Sequence, residues 1–234
     1  SPMVWFIIFA LITVVIVMTG VEKGIEKVSK FMMPLLVILS VGIAIYSLTL
    51  PGAIDGVIYY LKPDFSQFSV TTVLAAMGQL FYSISVAMGI MIAYGSYMKA
   101  DVNMGKSINQ IEIFDTLVAF LAGMMIIPAV FVFMGEEGMT AGPSLMFIAL
   151  PKIFSAMGGI GVIIGIVFFL MVLFAAITSA VSIMEAIVAS FMDSFHITRR
   201  VACVISFVIS LALAVVVCLG YNHLYFELKL PNGS

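Results

Sequence analysis

Three places in this sequence set oxygen-bearing side chains inside long apolar runs, where oxygen could ligate a hard cation or a carboxylate. The first is Tyr82-Ser83-Ile84-Ser85-Val86-Ala87-Met88-Gly89. Its serines and glycine weaken regular helix, glycine by about 1 kcal/mol relative to alanine. A helix that breaks inside hydrocarbon exposes N–H and C=O groups, which can hold an ion only where they line a cavity. The same small residues also suit close helix packing. The second is Asp115, which shares a helical face with Glu112, Ala119 and Ala122. A carboxylate in such a run needs a cation or a polar cavity, so a functional role is its default reading. Glu112 lies nearer the end of the run and reads as solvated. The third is Ala175-Ala176-Ile177-Thr178-Ser179-Ala180-Val181-Ser182. At about 100° per residue, Ala175, Thr178, Ser179 and Ser182 fall within an arc of about 100°. Hydroxyls plus a carbonyl released by a local distortion would form a hard oxygen site suited to a monovalent cation. Interhelical hydrogen bonding, about 0.6 kcal/mol per pair, is the competing use. Glu185, two turns beyond Thr178, reads as a buried structural acid or as facing a cytoplasmic path.

Apolar segments must carry these groups. Hydrophobic residues make up 63% of the chain and charged ones 9%, against roughly 25% charged in a soluble domain. A water-soluble surface needs more polar cover than that. Several runs reach the about 20 residues that a helix needs to cross a bilayer, and none alternates as barrel strands do. The class is an all-α membrane protein with six transmembrane helices. They are expected at about 3–20, 30–50, 71–97, 108–134, 160–195 and 201–220, in a single transmembrane region covering 1–234. Pro34 is expected in the first turns of the second span and Pro128 at a bend in the fourth. A short surface helix is expected over 57–61, and the last polar turns of the fifth span should project into water. The chain starts directly in a span and stops in Leu230-Pro231-Asn232-Gly233-Ser234, so it is expected to be an incomplete piece of a longer protein.

Basic residues orient the spans. With alternating crossings, Lys23, Lys27, Lys30, Lys99, Lys106, Arg199 and Arg200 fall on one side and Lys62, Lys152 and Lys229 on the other. The richer side is cytoplasmic, which puts the loops near 21–29, 98–107 and 196–200 inside and the two long connections outside. No basic stripe with interleaved aromatics supports nucleic-acid binding. Cys203 and Cys218 are about 22 Å apart along one helix, too far for a bridge, and read as packing residues. His196 and His223 lie at segment ends, which disfavours an intramembrane enzyme.

These residues resemble the neurotransmitter:sodium symporter family, whose members share the LeuT fold. The most specific pieces are Tyr59-Tyr60-Leu61-Lys62-Pro63-Asp64-Phe65 and Gly78-Gln79-Leu80-Phe81-Tyr82-Ser83. Gly142-Pro143-Ser144-Leu145-Met146-Phe147-Ile148-Ala149-Leu150-Pro151 is similar to the family's fourth external loop, and Phe174-Ala175-Ala176-Ile177-Thr178-Ser179 to its eighth span. The pieces occur in family order. The resemblance implies that the six spans are family helices four to nine of an inverted-repeat transporter, and that the third is the unwound helix of the substrate site.

From the resemblance, Tyr82 would be an aromatic lid over the substrate. Ser83 and Ser85 would serve a first sodium and the substrate, with Met88 lining the side-chain pocket. Asp115 falls where many relatives carry an asparagine that ligates that first sodium. Its fixed charge would replace the chloride of chloride-dependent members, near Gln79 and Ala119, so chloride would not be required. Ala175, Thr178 and Ser179 would bind a second sodium. Ser179 and Ile183 would also face the substrate, with Ser182 narrowing the pocket. Val86-Ala87 departs from the Leu-Gly common in relatives, which would shrink the pocket. The family's first span, which supplies much of these sites, is absent, so the chain would depend on missing transmembrane helices for the rest. The implied function is sodium-coupled symport of an amino acid or related small amine across the plasma membrane, by alternating access. A proton-coupled amino-acid permease of the same fold, or a non-transporting membrane subunit, are the alternatives.

Overall fold

The computed structural model describes residues 2–63, 65–99, 101–135 and 145–220. Asp64, residues 142–144 of the loop motif, His223 and Lys229 lie outside the described residues. All regular structure described is helical. In chain order it comprises α1 (Pro2–Met18), α2 (Lys27–Leu48), α3 (Ala53–Leu61), α4 (Val70–Ser83), α5 (Ile90–Ser96), α6 (Met104–Met134), α7 (Leu150–Ala156), α8 (Gly159–Phe195) and α9 (Arg199–Gly220).

Local chemistry sets several of these boundaries. The Ser69 side chain accepts from the Thr72 N–H at 3.2 Å to start α4. Asn103 does the same for α6, accepting from the Lys106 N–H at 3.1 Å. Each side-chain oxygen satisfies one of the N–H groups that a first turn leaves without a partner. A π-helical turn over Val21–Glu26 runs straight into α2. Pro34 therefore lies inside a continuous helix rather than in its first turns. After Pro51, Gly52 takes a left-handed conformation (φ 86°) that turns the chain and lets α3 begin at Ala53, earlier than the 57–61 expected. The connection after α6 carries a helix of its own, α7, which follows directly on a π-helical turn over Leu145–Ala149, so Pro151 lies inside one helical stretch.

Among the described residues, four helices are long and apolar enough to cross a membrane: Lys23–Leu48, Met104–Met134, Gly159–Phe195 and Arg199–Gly220. At 37 residues, α8 exceeds what one crossing needs. The other two expected spans differ in form. Helix α1 has 17 residues, and the third segment is divided into a 14-residue α4 and a 7-residue α5.

The chain divides into two compact units: Ser1–Ser29 with Ile92–Ser96 and Ile177–Ser234, and Lys30–Met91 with Tyr97–Ala176. In the first, α1 packs on α9. Ala10, Thr13, Val14 and Val17 form the buried stripe of α1, and Ala202, Cys203 and Ser206 that of α9. In the second, Leu36, Ile43, Met125, Val130, Leu150, Ile153, Phe154 and Phe168 form an apolar core. Helix α3 lies against α6, with Tyr60 stacked near Phe120 (centroids 6.0 Å) and Tyr59 near Phe131 (5.8 Å). Two glycines permit that approach. The Tyr60 ring occupies the place where Gly123 would carry a Cβ. A Cβ on Gly56 would sit 2.8 Å from Pro128 Cα and 2.9 Å from Phe131 Cβ. Gly56→Ala should force the two backbones apart and cost about 1–3 kcal/mol. Thermal unfolding in detergent reads this as a lowered midpoint, and an unchanged midpoint would mean that α3 is not seated on α6.

Candidate functional site

The division of the third segment is local and specific. Helix α4 ends at Ser83, Ile84 caps it, and Ser85 adopts a left-handed conformation (φ 59°, ψ 29°). A single 3₁₀ turn, Val86–Met88, follows before left-handed Gly89 (φ 74°) restarts the helix as α5. A non-glycine residue in that region costs about 1–2 kcal/mol, so the surrounding structure must hold Ser85 there. The Ser85 N–H reaches the Tyr82 carbonyl at 3.1 Å, and the Met88 N–H reaches the Ser85 carbonyl at 3.4 Å. These i to i−3 bonds take the place of the regular ladder between Ser85 and Met88.

Asp115, on α6, meets this break. Ser83 Oγ donates to Asp115 Oδ1 at 2.7 Å, joining residues 32 apart in sequence. Asp115 is half-buried, and among the described residues its hydrogen-bond partner is that hydroxyl alone, with no cation in salt-bridge reach. The carboxylate charge is thus met by a neutral dipole. Two oxygens already share one point, and the unwound backbone lies next to them. Glu112 is exposed, as expected of a solvated acid. Around the break, Tyr82 is 66% exposed and Met88 37% exposed, so both present apolar surface outward.

Ala175, Thr178, Ser179 and Ile183 lie along the continuous α8. Ser179 and Ile183 are exposed, while Ala175 and Thr178 are half-buried. Ser182 Oγ donates to the Thr178 carbonyl at 3.0 Å. Tyr82, Ser83, Ser85, Met88, Asp115 and Ala175 belong to one compact unit, and Thr178, Ser179 and Ile183 to the other. The structure thus brings Ser83 and Asp115 into contact and keeps the α8 residues in one helical row.

The model of the sodium:neurotransmitter symporter family matches residues 2–228. The chain belongs to that family. It is 36% identical over 218 residues to an uncharacterized sodium-dependent transporter, YhdH, of Bacillus subtilis, covering 93% of this chain and 48% of that protein. It is 28% identical over 219 residues to the human sodium- and chloride-dependent creatine transporter 1, covering 85% of this chain and 34% of the other. Among solved structures, MhsT in complex with L-phenylalanine superposes with a TM-score of 0.86 at 39% identity, over 100% of this chain and 52% of MhsT. The chain spans about half the length of the bacterial relatives it matches. The sodium:neurotransmitter symporter family is one of transporters rather than enzymes, and the neighbour has the LeuT fold.

The chain also holds polar groups whose partners the residue pattern did not show. Glu185 is 0% exposed and forms an ion pair with Arg199 at the start of α9. The Arg199 Nε donates to the Val17 carbonyl at 2.9 Å, at the end of α1. One guanidinium therefore satisfies a buried carboxylate and a helix-terminal carbonyl together. The sequence contained the signal: a carboxylate inside an apolar span requires a cation, and Arg199 opens the next helix. The other such residue is Tyr94, whose hydroxyl donates to Ser182 Oγ at 2.7 Å. A half-buried phenol must find a partner, which could have marked it.

Removing one partner of a buried pair leaves an uncompensated charge and costs about 3–5 kcal/mol. Arg199→Met should therefore sharply lower the melting temperature. Adding Glu185→Leu to it should recover much of the loss. Equal melting of the Arg199→Met single variant and the parent would show that the pair contributes nothing.

Proposed function

We propose that this chain forms part of a sodium-coupled symporter that carries an amino acid or related small amine across the plasma membrane by alternating access. The observation that carries the reading is Asp115: a half-buried carboxylate hydrogen-bonded to Ser83 at 2.7 Å, beside a helix unwound between Ile84 and Gly89. A charge in that position calls for a cation. Sodium suits it, because carboxylate, hydroxyl and main-chain carbonyl are all hard oxygen donors. The first sodium would be held by Ser83 and Asp115, the second by the Ala175 carbonyl with the Thr178 and Ser179 hydroxyls.

The substrate would sit against the unwound segment, whose left-handed Ser85 and Gly89 free backbone groups for its charged ends. Tyr82 would close over it, Met88 would line its side-chain pocket, and, as the family resemblance implies, Ser179 and Ile183 would also face the substrate. An amino-acid substrate is supported by the neighbour MhsT, solved in complex with L-phenylalanine. The opposite wall would come from the remaining transmembrane helices of the transporter, since the matched bacterial relatives are about twice as long. All six expected segments would cross the membrane, the third as α4, the unwound turn and α5. The loops near 21–29, 98–107 and 196–200 would face the cytoplasm.

Chloride would not be required. The mammalian creatine transporters are named sodium- and chloride-dependent, and the bacterial and archaeal relatives sodium-dependent. A fixed carboxylate at Asp115 supplies the negative charge that a bound anion would otherwise bring to the sodium.

Two variants of the full-length transporter test this. Asp115→Asn removes a charged ligand worth about 1.5–3 kcal/mol, so half-saturating sodium should rise about tenfold or more, or uptake should become responsive to chloride. Sodium titration of uptake with and without chloride reads both, and parental behaviour in each would rule out charge replacement. Thr178→Ala with Ser179→Ala should abolish sodium-driven accumulation, and normal accumulation would refute the second site.

A further inference from the structure

One chain of hydroxyls takes no part in the sodium ligand sets above, yet ends on the turn that carries one of them. Tyr94, on α5, donates from its phenol to Ser182 Oγ at 2.7 Å. Ser182 in turn donates to the Thr178 carbonyl at 3.0 Å, one helical turn back along α8. All three residues belong to the same compact unit. A hydroxyl that accepts one hydrogen bond becomes a better donor in the next, so the two bonds reinforce each other. The second bond has a structural effect of its own. A serine that bonds back to the carbonyl four residues earlier competes with the helix N–H for that oxygen and tends to bend the helix.

The geometry of α8 between Thr178 and Ser182 is therefore set partly by a phenol on another helix. That stretch holds the Thr178 and Ser179 hydroxyls. Ion coordination tolerates displacements of only about 0.5 Å before donors lose their purpose. We propose that Tyr94 and Ser182 are positioning residues for the second sodium: by holding Tyr94 of α5 on α8, they fix the turn whose hydroxyls receive the ion. Neither ligates sodium. By linkage, an ion that favours this turn also favours α5 in its seat, so sodium stabilises the helix that resumes after the unwound segment. This inference rests on the second-sodium reading given above.

The test is a sodium titration of thermal stability and of uptake in the full-length transporter, with parent, Tyr94→Phe, Ser182→Ala and Ser182→Thr compared. Substrate affinity is measured separately at saturating sodium. Loss of one hydrogen bond in the chain should raise half-saturating sodium on the order of three- to tenfold, and in Tyr94→Phe, whose side chain is given no part in the substrate pocket, should leave substrate affinity at saturating sodium within about twofold. The double variant Tyr94→Phe/Ser182→Ala should shift no further than the larger single effect, because both bonds act through one carbonyl. Ser182→Thr keeps the hydroxyl and should titrate like the parent. A uniform fall in melting temperature with unchanged half-saturating sodium in Tyr94→Phe and Ser182→Ala would reduce the chain to a structural contact and overturn the proposal. Should Tyr94→Phe fail to fold, the contrast between Ser182→Ala and Ser182→Thr decides alone. The Thr178→Ala/Ser179→Ala variant separates the two levels. If it keeps full sodium dependence, the second site itself is wrong; if it loses that dependence while Tyr94→Phe and Ser182→Ala titrate normally, only the positioning role falls.

Discussion

Inside hydrocarbon a single segment can satisfy its own backbone in one way, through the i to i−4 ladder of a helix. Four helices of spanning length here meet that constraint by staying helical throughout, Pro34 and Pro128 included. The third segment does not, and much of the functional argument depends on the exception. Between Ile84 and Gly89 two left-handed residues and one 3₁₀ turn replace more than one turn of helix. Such a defect persists only where protein or water meets the released groups. The Ser83–Asp115 bond secures the α4 end of the defect to α6, so the strain at Ser85 and the charge at Asp115 belong to one local arrangement.

The two carboxylates buried to different degrees solve opposite problems. Glu185 is fully enclosed and meets a guanidinium, which also reaches the Val17 carbonyl. Its charge is cancelled, and the three helices it joins gain a fixed geometry. Asp115 is half-buried and meets a hydroxyl. Among the described residues its charge is oriented by that hydroxyl and meets no cation, which is why the proposed sodium is placed there. Burial separates the two acids, and so does the partner each meets: a guanidinium for Glu185 and a hydroxyl for Asp115.

This contrast also explains how much could be read from residue types. The apolar runs gave the helices, because length and composition are strong signals in a membrane chain. The serines and glycine at 83–89 marked the break, and Asp115 marked a site, because each is costly where it stands. Pro34 misled, since proline is common near helix starts and the π-helical turn before α2 has no clear signature in Val21-Glu22-Lys23-Gly24-Ile25-Glu26. The α3 helix was foreseen only in part, because its start depends on the left-handed Gly52. Partnerships were hardest to see. Tyr94 with Ser182 spans 88 residues and Arg199 with Val17 spans 182, and no local pattern encodes which distant group answers a buried one.

Helix α8 shows how these separate requirements are reconciled on one element. Ala175, Thr178, Ser182 and Glu185 follow each other at spacings of three and four, so they form one stripe down a continuous helix. Along it come the residues assigned to an ion, then a hydroxyl bonded to a phenol, then an acid bonded to a guanidinium. Leu173, Ile183 and Ile187 lie outside this stripe and expose their side chains. A helix with one polar stripe and an apolar remainder has its rotation about its own axis fixed by cost: turning it would place hydroxyls and a carboxylate against hydrocarbon. The ion pair and the hydroxyl bond therefore do more than occupy polar atoms. They also hold α8 in one rotation, and under the positioning role proposed above that rotation would aim the Thr178 and Ser179 oxygens.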